Sequence, residues 1–292
     1  MSQENALELR GVTHRFDGFT LDNVSFDVPK GSIMGFVGQN GAGKTTTIRS
    51  ILNILHNDSG TIRIYGLDSV KDEMKIKEDI AVVFDELPFP DVLTLTSLEK
   101  VLKGLYKKWD SARYYELVDR FSLPRKKKIH DFSRGMKMKL QICAALSHGA
   151  KLLIMDEATS GLDPVVRSEM LDIFLEFIGD EEHTVLMSSH ITSDIEKIAD
   201  SVTFIDGGKI LLSGYTSDIL ADHAVLKCAK EDIGRIAAED IVSVRLSDFG
   251  ADVMLRNFAA SRGKYDGFTI NKTTLDEILL FYVKRNSGKE WR

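Results

Sequence analysis

The sequence predicts an α/β fold built on a mostly parallel β-sheet. Over the first two thirds of the chain, short apolar runs alternate with amphipathic stretches. Such alternation is typical of strands that are covered by helices on the faces of one sheet. A glycine-rich loop also joins one apolar run to a helical stretch, and another apolar run ends in two adjacent carboxylates. Both features are typical of the end of a parallel sheet at which ligands bind.

The apolar runs are the strand candidates. They lie at residues 6–9, 19–27, 32–37, 61–65, 79–84, 151–156, 184–188 and 202–206. Helical stretches follow several of these runs, notably at residues 43–55, 164–178 and 191–199. Residues 204–214 predict a hairpin, because the sequence Asp206-Gly207-Gly208 is typical of a tight turn.

Two regions depart from this alternation. Strand signals disappear at about residues 94–149, where helix formers predict an inserted helical subdomain. After residue 215 come the short strands VLKCA, IVSVRL and ADVMLR, and then TTLDEILLFYVKR, where Thr274 and Glu277 form a capping box for a final helix. We therefore expect a large domain at residues 1–214 and a small α/β appendage at residues 215–292.

Composition limits the class of protein. The 292 residues are 43% hydrophobic and 28% charged, which is ordinary for a soluble globular chain. The net charge of -6 argues mildly against a nucleic acid as partner. No stretch approaches the roughly 20 apolar residues that span a bilayer, and the first residues show no signal-peptide pattern. Cys143 and Cys228 lie far apart, and we expect reduced thiols in the core of a cytoplasmic protein.

The stretch KLLIMDEATSGLD combines a buried strand with two acids. Residues 152–155 are all apolar, as expected for a parallel strand that is covered on both faces, and Asp156 and Glu157 follow at its carboxyl end. An unpaired buried carboxylate costs several kcal/mol or takes up a proton. A bound cation and a reacting water would give both acids a function.

The stretch GFVGQNGAGKTT matches the phosphate-binding pattern G-x-x-x-x-G-K-[ST], directly after a strand and before a helix. Glycines let backbone N–H groups turn toward an anion, and the helix adds its positive N-terminus. Lys44 is expected to neutralise the β- and γ-phosphates of ATP, and Thr45 to ligate Mg²⁺. The predicted ATP-binding residues are Gly38, Gln39, Asn40, Gly41, Ala42, Gly43, Lys44, Thr45 and Thr46.

A phosphate loop gives the two carboxylates their expected roles. Asp156 would hold Mg²⁺ directly or through water, and Glu157 would polarise the water that attacks the γ-phosphate. His190 ends the strand in TVLMSSH and is expected on the same rim of the sheet, where it would hold the γ-phosphate and the water. Asp163, in SGLD, is a candidate for aligning His190 across an interface.

Taken in order, these residues resemble the ATP-hydrolysing subunit of ABC transporters. The matching features are Phe16, the phosphate loop, FSRGMKMKLQ at 132–141, LLIMDEATSGLDP and His190, so that the resemblance covers about residues 5–214. It implies the P-loop NTPase ABC-ATPase fold, in which an antiparallel β subdomain accompanies the mostly parallel sheet. It also implies a homodimer or heterodimer of two such subunits, closed head to tail around two ATP molecules.

The resemblance assigns further residues. It implies that an aromatic ring stacks on adenine, and Phe16 is the candidate, with Phe19 as its competitor. It implies that Ser133 and Gly135 of one subunit contact the γ-phosphate held by the other. Ser133 is also an N-cap candidate for a helical stretch at 136–147, and Gly135 leaves backbone amides open to an anion.

Two departures from the family pattern stand out. The signature usually reads Leu-Ser-Gly-Gly-Gln, whereas this chain has FSRGM at residues 132–136. The lid-loop glutamine of the family is replaced by Asp85, followed by Glu86. Asp85 is therefore a candidate metal contact, through a bridging water where a glutamine would bind directly. Arg134, arriving from the opposite subunit, would offset part of its charge. The alternative is that Asp85 faces solvent and that Glu86 or no residue takes the role.

These departures and the C-terminal tail look like the exporter ATPases of drug, antimicrobial-peptide and related efflux systems. The resemblance implies a separate multi-span membrane permease, with this subunit peripheral on the inner face of the cell membrane. A non-transport ABC ATPase acting on the ribosome or DNA is the alternative, and a small-molecule kinase is a third possibility. The Glu157–His190 pair suggests water, and not a kinase substrate, as the acceptor of the phosphoryl group.

The segment DELPFPDVL, residues 85–93, has two interpretations. Leu87, Phe89 and Val92 either pack into the helical subdomain or line a groove for a short helix of the permease.

Overall fold

The strands form three sheets in a computed structural model, which describes residues 4–261 and 263–287. The strands are β1 Asn5–Phe16, β2 Phe19–Pro29, β3 Ile33–Val37, β4 Ser59–Ile64, β5 Leu67–Asp68, β6 Ile80–Val83, β7 Leu152–Asp156, β8 Thr184–Ser189, β9 Ser201–Asp206, β10 Lys209–Tyr215, β11 Ala224–Cys228, β12 Ile241–Ser247, β13 Gly250–Leu255 and β14 Thr269–Lys272. The helices are α1 Lys44–Ile51, α2 Glu73–Asp79, α3 Leu95–Leu105, α4 Ser111–Arg120, α5 Arg134–Ala145, α6 Pro164–Phe177, α7 Thr192–Ile198, α8 Thr216–Asp222, α9 Phe258–Ser261 and α10 Leu275–Ser287.

The largest sheet has six strands in the order β10-β9-β3-β8-β7-β6. All of its pairings are parallel except that of β10 with β9, the predicted hairpin. Every residue of β3, β7 and β8 is buried, which explains why these strands are mainly apolar in sequence. The mostly parallel sheet is therefore confirmed. Because β8 lies between β3 and β7, the loops at their carboxyl ends meet at one edge.

The second sheet is the antiparallel subdomain, in the order β2-β1-β4-β5. β1 is longer than the apolar run at 6–9 that predicted it. It continues beyond Arg10 because register shifts, with Gly11 at φ +62°, interrupt the regular pairing without ending the strand. A search for simple alternation misses such an irregular strand.

The inserted helical subdomain is confirmed, since α3, α4 and α5 lie between β6 and β7. Thr94 caps α3 by accepting a hydrogen bond from the N–H of Ser97, and Asp110 caps α4 through the N–H of Arg113. Tyr114 is fully buried within the apolar core of this region. The helical subdomain therefore shares one apolar core with the large sheet.

Three helices and one boundary differ from the prediction. α1 ends at Ile51, and not near residue 55; Asn53 follows with φ +54°. α2, α8 and the short α9 were not predicted at all. α2 escapes notice because Ile76 is its one buried residue, so that it lacks an apolar stripe.

The C-terminal segment forms the third sheet, β12-β13-β11-β14, which is antiparallel throughout, with α10 packed on it. The Thr274 hydroxyl accepts from the N–H of Glu277 at 3.3 Å, which is one half of the expected capping box. The Glu277 carboxylate instead accepts from the Thr273 hydroxyl. The backbone N–H of Leu275 donates to Glu196 on α7 at 3.0 Å. The division into residues 1–214 and 215–292 stays a prediction.

Candidate active site

The phosphate loop, residues 38–43, joins β3 to α1. Its glycines are required by geometry. Gly43, with φ +113°, and Gly41, with φ +79°, adopt backbone angles that favour glycine. A Cβ at position 38 would lie 2.3 Å from the carbonyl oxygen of Ile205. Other side chains would therefore push the loop away from the neighbouring strand.

Lys44 opens α1 and is buried, with a relative exposure of 5%. Its Nζ donates to the carbonyl oxygens of Gly38 at 2.6 Å and Gln39 at 3.1 Å. It also lies 2.9 Å from Oε1 of Glu157. The ammonium is thus held inside the loop, and a bound phosphate would compete with these oxygens for it.

Asp156 ends β7 in a buried position beside Thr45. Its Oδ1 accepts from the hydroxyl of Thr45 at 3.2 Å and from that of Ser188 at 2.8 Å. A hydroxyl and a carboxylate side by side form a hard oxygen pair that suits Mg²⁺, which is usually bound by one or two carboxylates plus phosphate oxygens and water. Within residues 4–261 and 263–287, no larger cluster of His, Cys, Asp or Glu is arranged to hold a metal.

Glu157 follows in an uncommon backbone conformation, with φ +55°. Non-glycine residues in this region are strained, and such strain is concentrated at functional sites. The N–H of Glu157 donates to the carbonyl oxygen and the hydroxyl of Ser188, both at 3.2 Å. These contacts to the neighbouring strand stabilise the turn that aims the side chain.

The Glu157 carboxylate lies between the ammonium of Lys44 and the imidazole of His190. Oε1 faces Lys44, and Oε2 lies 2.6 Å from Nδ1 of His190. Because a carboxylate can only accept, Nδ1 is the donor in this contact. The Glu157 side chain is 17% exposed and that of His190 41% exposed, so that the pair opens to solvent on the histidine side. A water or phosphate can therefore approach the carboxylate.

Ser188 is the site residue that sequence reasoning missed. It binds both Asp156 and the backbone of Glu157 from the adjacent strand. The available signal was a pair of hydroxyl residues, Ser188 and Ser189, in an otherwise apolar strand, directly before His190.

The two candidates for stacking on adenine, Phe16 and Phe19, differ in their exposure. Phe16 is 44% exposed at the end of β1, with its ring centroid 6.2 Å from that of Phe19. Phe19 packs against the core, and its ring lies 3.2 Å from where a Cβ of Gly43 would be. Phe16 is therefore the more exposed of the two rings, with the ring of His14 against it at a centroid distance of 4.3 Å, and its stacking on adenine stays a prediction.

Ser133, Gly135 and Asp163 lie at helix N-termini. The Ser133 hydroxyl accepts from the N–H of Met136 and caps α5, and Asp163 caps α6 through the N–H groups of Val165 and Val166. Gly135 has open space in place of a side chain, with the nearest atom 3.9 Å from its Cβ position. Ser133 and Asp163 are exposed, as a role in contact with a second subunit requires.

The lid loop, residues 84–92, differs from expectation at Asp85. Its carboxylate pairs with the guanidinium of Arg134 in the same chain, and not of an opposite subunit. The two residues are 49 positions apart, and the helices α3 and α4 lie between them in sequence. No hydrogen bond between Asp85 and Thr45 or Asp156 occurs within the described residues, and a metal contact by Asp85 stays a prediction.

The phosphate loop, its buried lysine and the Glu157–His190 pair beside it define a P-loop ATPase. The family model described as ABC transporter matches residues 21–160. The chain belongs to the ABC transporter family as an ATP-binding subunit. The prediction of an ATP-binding and ATP-hydrolysing subunit is confirmed.

Individual relatives agree with this assignment. The daunorubicin/doxorubicin resistance ATP-binding protein DrrA of Streptomyces peucetius is 31% identical over 251 residues, which is 82% of this chain and 76% of that protein. The bacitracin transport ATP-binding protein BcrA of Enterococcus faecalis is 30% identical over 275 residues, 90% of this chain and 88% of that protein. A solved ATP-binding subunit of an ABC transporter is 26% identical with a TM-score of 0.65, covering 73% of this chain and 91% of that one.

Proposed function

We propose that this subunit hydrolyses ATP to power export of a drug, peptide or similar compound through a separate membrane permease. The position of the Glu157 carboxylate between Lys44 and His190 carries the catalytic part of the proposal. In this position the carboxylate would accept the proton of water beside the lysine that would hold the β- and γ-phosphates.

In the proposed reaction the phosphates take Lys44 away from the carbonyls of Gly38 and Gln39 and from Glu157. The free Glu157 carboxylate then accepts a proton from water as the water oxygen attacks the γ-phosphorus and the bond to the β–γ bridging oxygen breaks. His190 donates to Glu157 and fixes its orientation, and it would hold the γ-phosphate and the water as they react. A positioned general base commonly contributes about 10²–10⁴-fold to the rate.

Thr45 and Asp156 would hold Mg²⁺, with Asp85 as a further candidate contact. When bound, the ion would neutralise phosphate charge. Support comes from the contact between the Thr45 hydroxyl and the Asp156 carboxylate. Asp85 would have to exchange Arg134 for the ion or for a water bound to it.

Two subunits are proposed to act together, as a homodimer or a heterodimer. Ser133 and Gly135 of one subunit would face the γ-phosphate bound by the other, and Asp163 would approach His190 across the interface. The exposure of Ser133 and Asp163, and of Phe16 for adenine, supports these roles. The N-terminus of α5 is available to an anion because Gly135 has no side chain.

The permease contact is proposed at an apolar cavity of about 750 Å³. It opens between the end of α1, α2 and the helical subdomain, and Ile54, Phe89 and Leu105 are among its lining residues. Ile54 and Leu105 line this same cavity and are 64% and 71% exposed, and exposed apolar side chains gathered in one place are typical of an interaction site. An amphipathic helix of the permease would cover them. Leu87 and Phe89 both pack in part against the core, whereas Val92 is 64% exposed.

The names of relatives support an exporter. One is a resistance protein for daunorubicin and doxorubicin, and another is a bacitracin transport protein. They do not favour a ribosome- or DNA-acting ATPase. No helix among the described residues is long and apolar enough to cross a membrane, and we propose that the subunit works at the inner face of the cell membrane by binding its permease.

Affinity purification from detergent-solubilised membranes tests this proposal. The tagged chain is expected to bring down a multi-span membrane protein, and the isolated complex is expected to hydrolyse ATP. Recovery of the chain with ribosomes or DNA, and without a membrane protein, would overturn the transport part.

A further inference from the structure

We propose that Arg134 is a positioning residue that fastens the lid loop to the helix carrying the signature segment, residues 132–136. Together with Gln141 it makes the lid loop and α5 move as one body in the nucleotide-free subunit. The attachment has two contacts, one buried and one exposed.

The buried contact is made by Gln141, which is 2% exposed. Its side-chain N–H donates to the carbonyl oxygen of Phe84 at 3.0 Å, and its side-chain oxygen accepts from the N–H of Phe84 at 3.1 Å. Phe84 directly follows β6 and begins the lid loop. The Gln141 amide thus forms hydrogen bonds with both backbone groups of Phe84. These two bonds take the place of the pairing between β6 and β7, which ends at Val83.

The exposed contact is the ion pair of Arg134 with Asp85, the next residue of the loop. Arg134 and Gln141 are seven residues apart, about two turns, and therefore lie on one face of α5. The two side chains of the pair are 50% and 52% exposed. Such a pair contributes only modestly to stability, and salt weakens it. Salt is therefore expected to weaken the ion pair more than the buried amide contact.

Arg134 also touches the loop that precedes α6. A Cβ at Gly161 would lie 2.7 Å from Nη1 of Arg134, and Gly161 has φ +68°. The guanidinium thus fits against Gly161 because that position has no side chain. One side chain therefore connects the lid loop, the signature segment and the SGLD loop.

The consequence rests on the proposed two-subunit arrangement. There the signature segment would face the ATP of the other subunit, while the lid loop would face the ATP of its own. A rigid link between them would transmit a displacement at one ATP to the other. Arg134 would then contribute to cooperativity between the two sites without touching the reacting atoms of its own subunit.

Hydrogen exchange on the full chain without nucleotide tests the link. Arg134→Gln and Asp85→Asn are each expected to speed amide exchange in residues 84–92 about two- to fivefold, the range of an exposed ion pair. The charge-swapped double variant, Arg134→Asp with Asp85→Arg, is expected to restore slow exchange. In 1 M NaCl the difference between wild type and Arg134→Gln should shrink, because the screening length falls to about 3 Å.

Arg120→Gln is the matched control, because it breaks another exposed Arg–carboxylate pair, with Glu176, away from the lid loop. It is expected to leave exchange in residues 84–92 unchanged. Unchanged exchange in β3 and β7 shows that the variants are folded. Wild-type exchange of the lid loop in both single variants, or failure of the swap to restore it, overturns the proposal.

The proposed cooperativity between the two ATP sites is tested by a separate measurement. The Hill coefficient for ATP in hydrolysis is expected to fall toward 1 in Arg134→Gln, and an unchanged coefficient would refute the link between sites. The exchange experiment contains no nucleotide, so that its outcome does not depend on whether the proposed dimer or transport function is correct.

Discussion

His190 places its Nδ1 2.6 Å from the Oε2 oxygen of Glu157, joining residues from the ends of the adjacent strands β8 and β7. This contact answers why a buried apolar strand delivers two acids to the edge of the sheet. Asp156 is satisfied by two hydroxyls, and Glu157 is held by a lysine and a histidine. Neither carboxylate is buried without a partner, and both face the phosphate loop.

Replacing Lys44 tests the phosphate loop. Lys44→Ala is expected to weaken ATP binding about 10- to 100-fold, because a hydrogen bond to a charged group contributes about 1.5–3 kcal/mol. Isothermal calorimetry measures this affinity. Lys139→Ala, which breaks a pair with Glu169 on another surface, serves as control and should bind ATP normally. Equal affinity of Lys44→Ala and wild type would contradict the assignment of the loop.

Asp85 can be tested through the Mg²⁺ dependence of hydrolysis. If its carboxylate leaves Arg134 for the ion, Asp85→Ala should need clearly more Mg²⁺ for half-maximal rate, because Mg²⁺ prefers anionic oxygen. The measurement is a Mg²⁺ titration at fixed ATP for wild type and variant. Superimposable curves would restrict Asp85 to its pairing with Arg134.

The sequence predicted the phosphate loop and the two acids better than the hydrogen bonds and ion pairs around them. The phosphate loop, Asp156 and Glu157 are found by sequence because short contiguous stretches hold them and the strand order brings them together. Arg134 was expected to offset the charge of Asp85 from the opposite subunit. Their pairing within one chain was not predicted, because 49 positions and the helices α3 and α4 separate the two residues. Ser188 was missed because hydroxyl side chains in a buried strand have many structural explanations.

Among the strands and helices, too, some were predicted well and others were missed. Uniformly buried strands such as β7 were predicted within one residue, since burial on both faces leaves an unbroken apolar run. The irregular β1 and the largely exposed α2 were misjudged, because bulges and exposure remove the periodicity that identifies such elements.

The cavity proposed for the permease contains Phe89, which offers a test of assembly. Phe89→Asp is expected to impair co-purification with the permease while the isolated subunit stays folded, because a charge in the groove must be desolvated. Phe249→Asp is a suitable control, since Phe249 is 100% exposed in the turn between β12 and β13 and does not line the cavity. Intact assembly of the Phe89 variant would refute this contact.

His148 predicts a pH dependence of stability. It lines the same cavity, stacks on Tyr106 with centroids 4.2 Å apart, and burial lowers its pKa to about 4. Since the unfolded state takes up the proton near its ordinary value of about 6.5, stability is full above that pH. It falls as the pH decreases toward 4, by about 1–2 kcal/mol at pH 5.

Denaturant unfolding at pH 7 and pH 5 measures this loss. His148→Phe retains an aromatic ring for Tyr106 and should lose less stability than wild type on acidification. A substitution of the exposed His130 by Asn should behave as wild type. An equal loss for His148→Phe and wild type would show that His148 does not cause the acid sensitivity.

Single-turnover hydrolysis by Glu157→Gln tests the central claim most directly. The amide keeps the shape of the side chain but cannot accept the proton, so that the rate is expected to fall by about 10²–10⁴-fold. ATP binding should persist, and the variant should accumulate as an ATP-bound dimer in size-exclusion chromatography with light scattering. Hydrolysis by the purified variant at a near-normal rate would contradict the assignment of Glu157 as the general base.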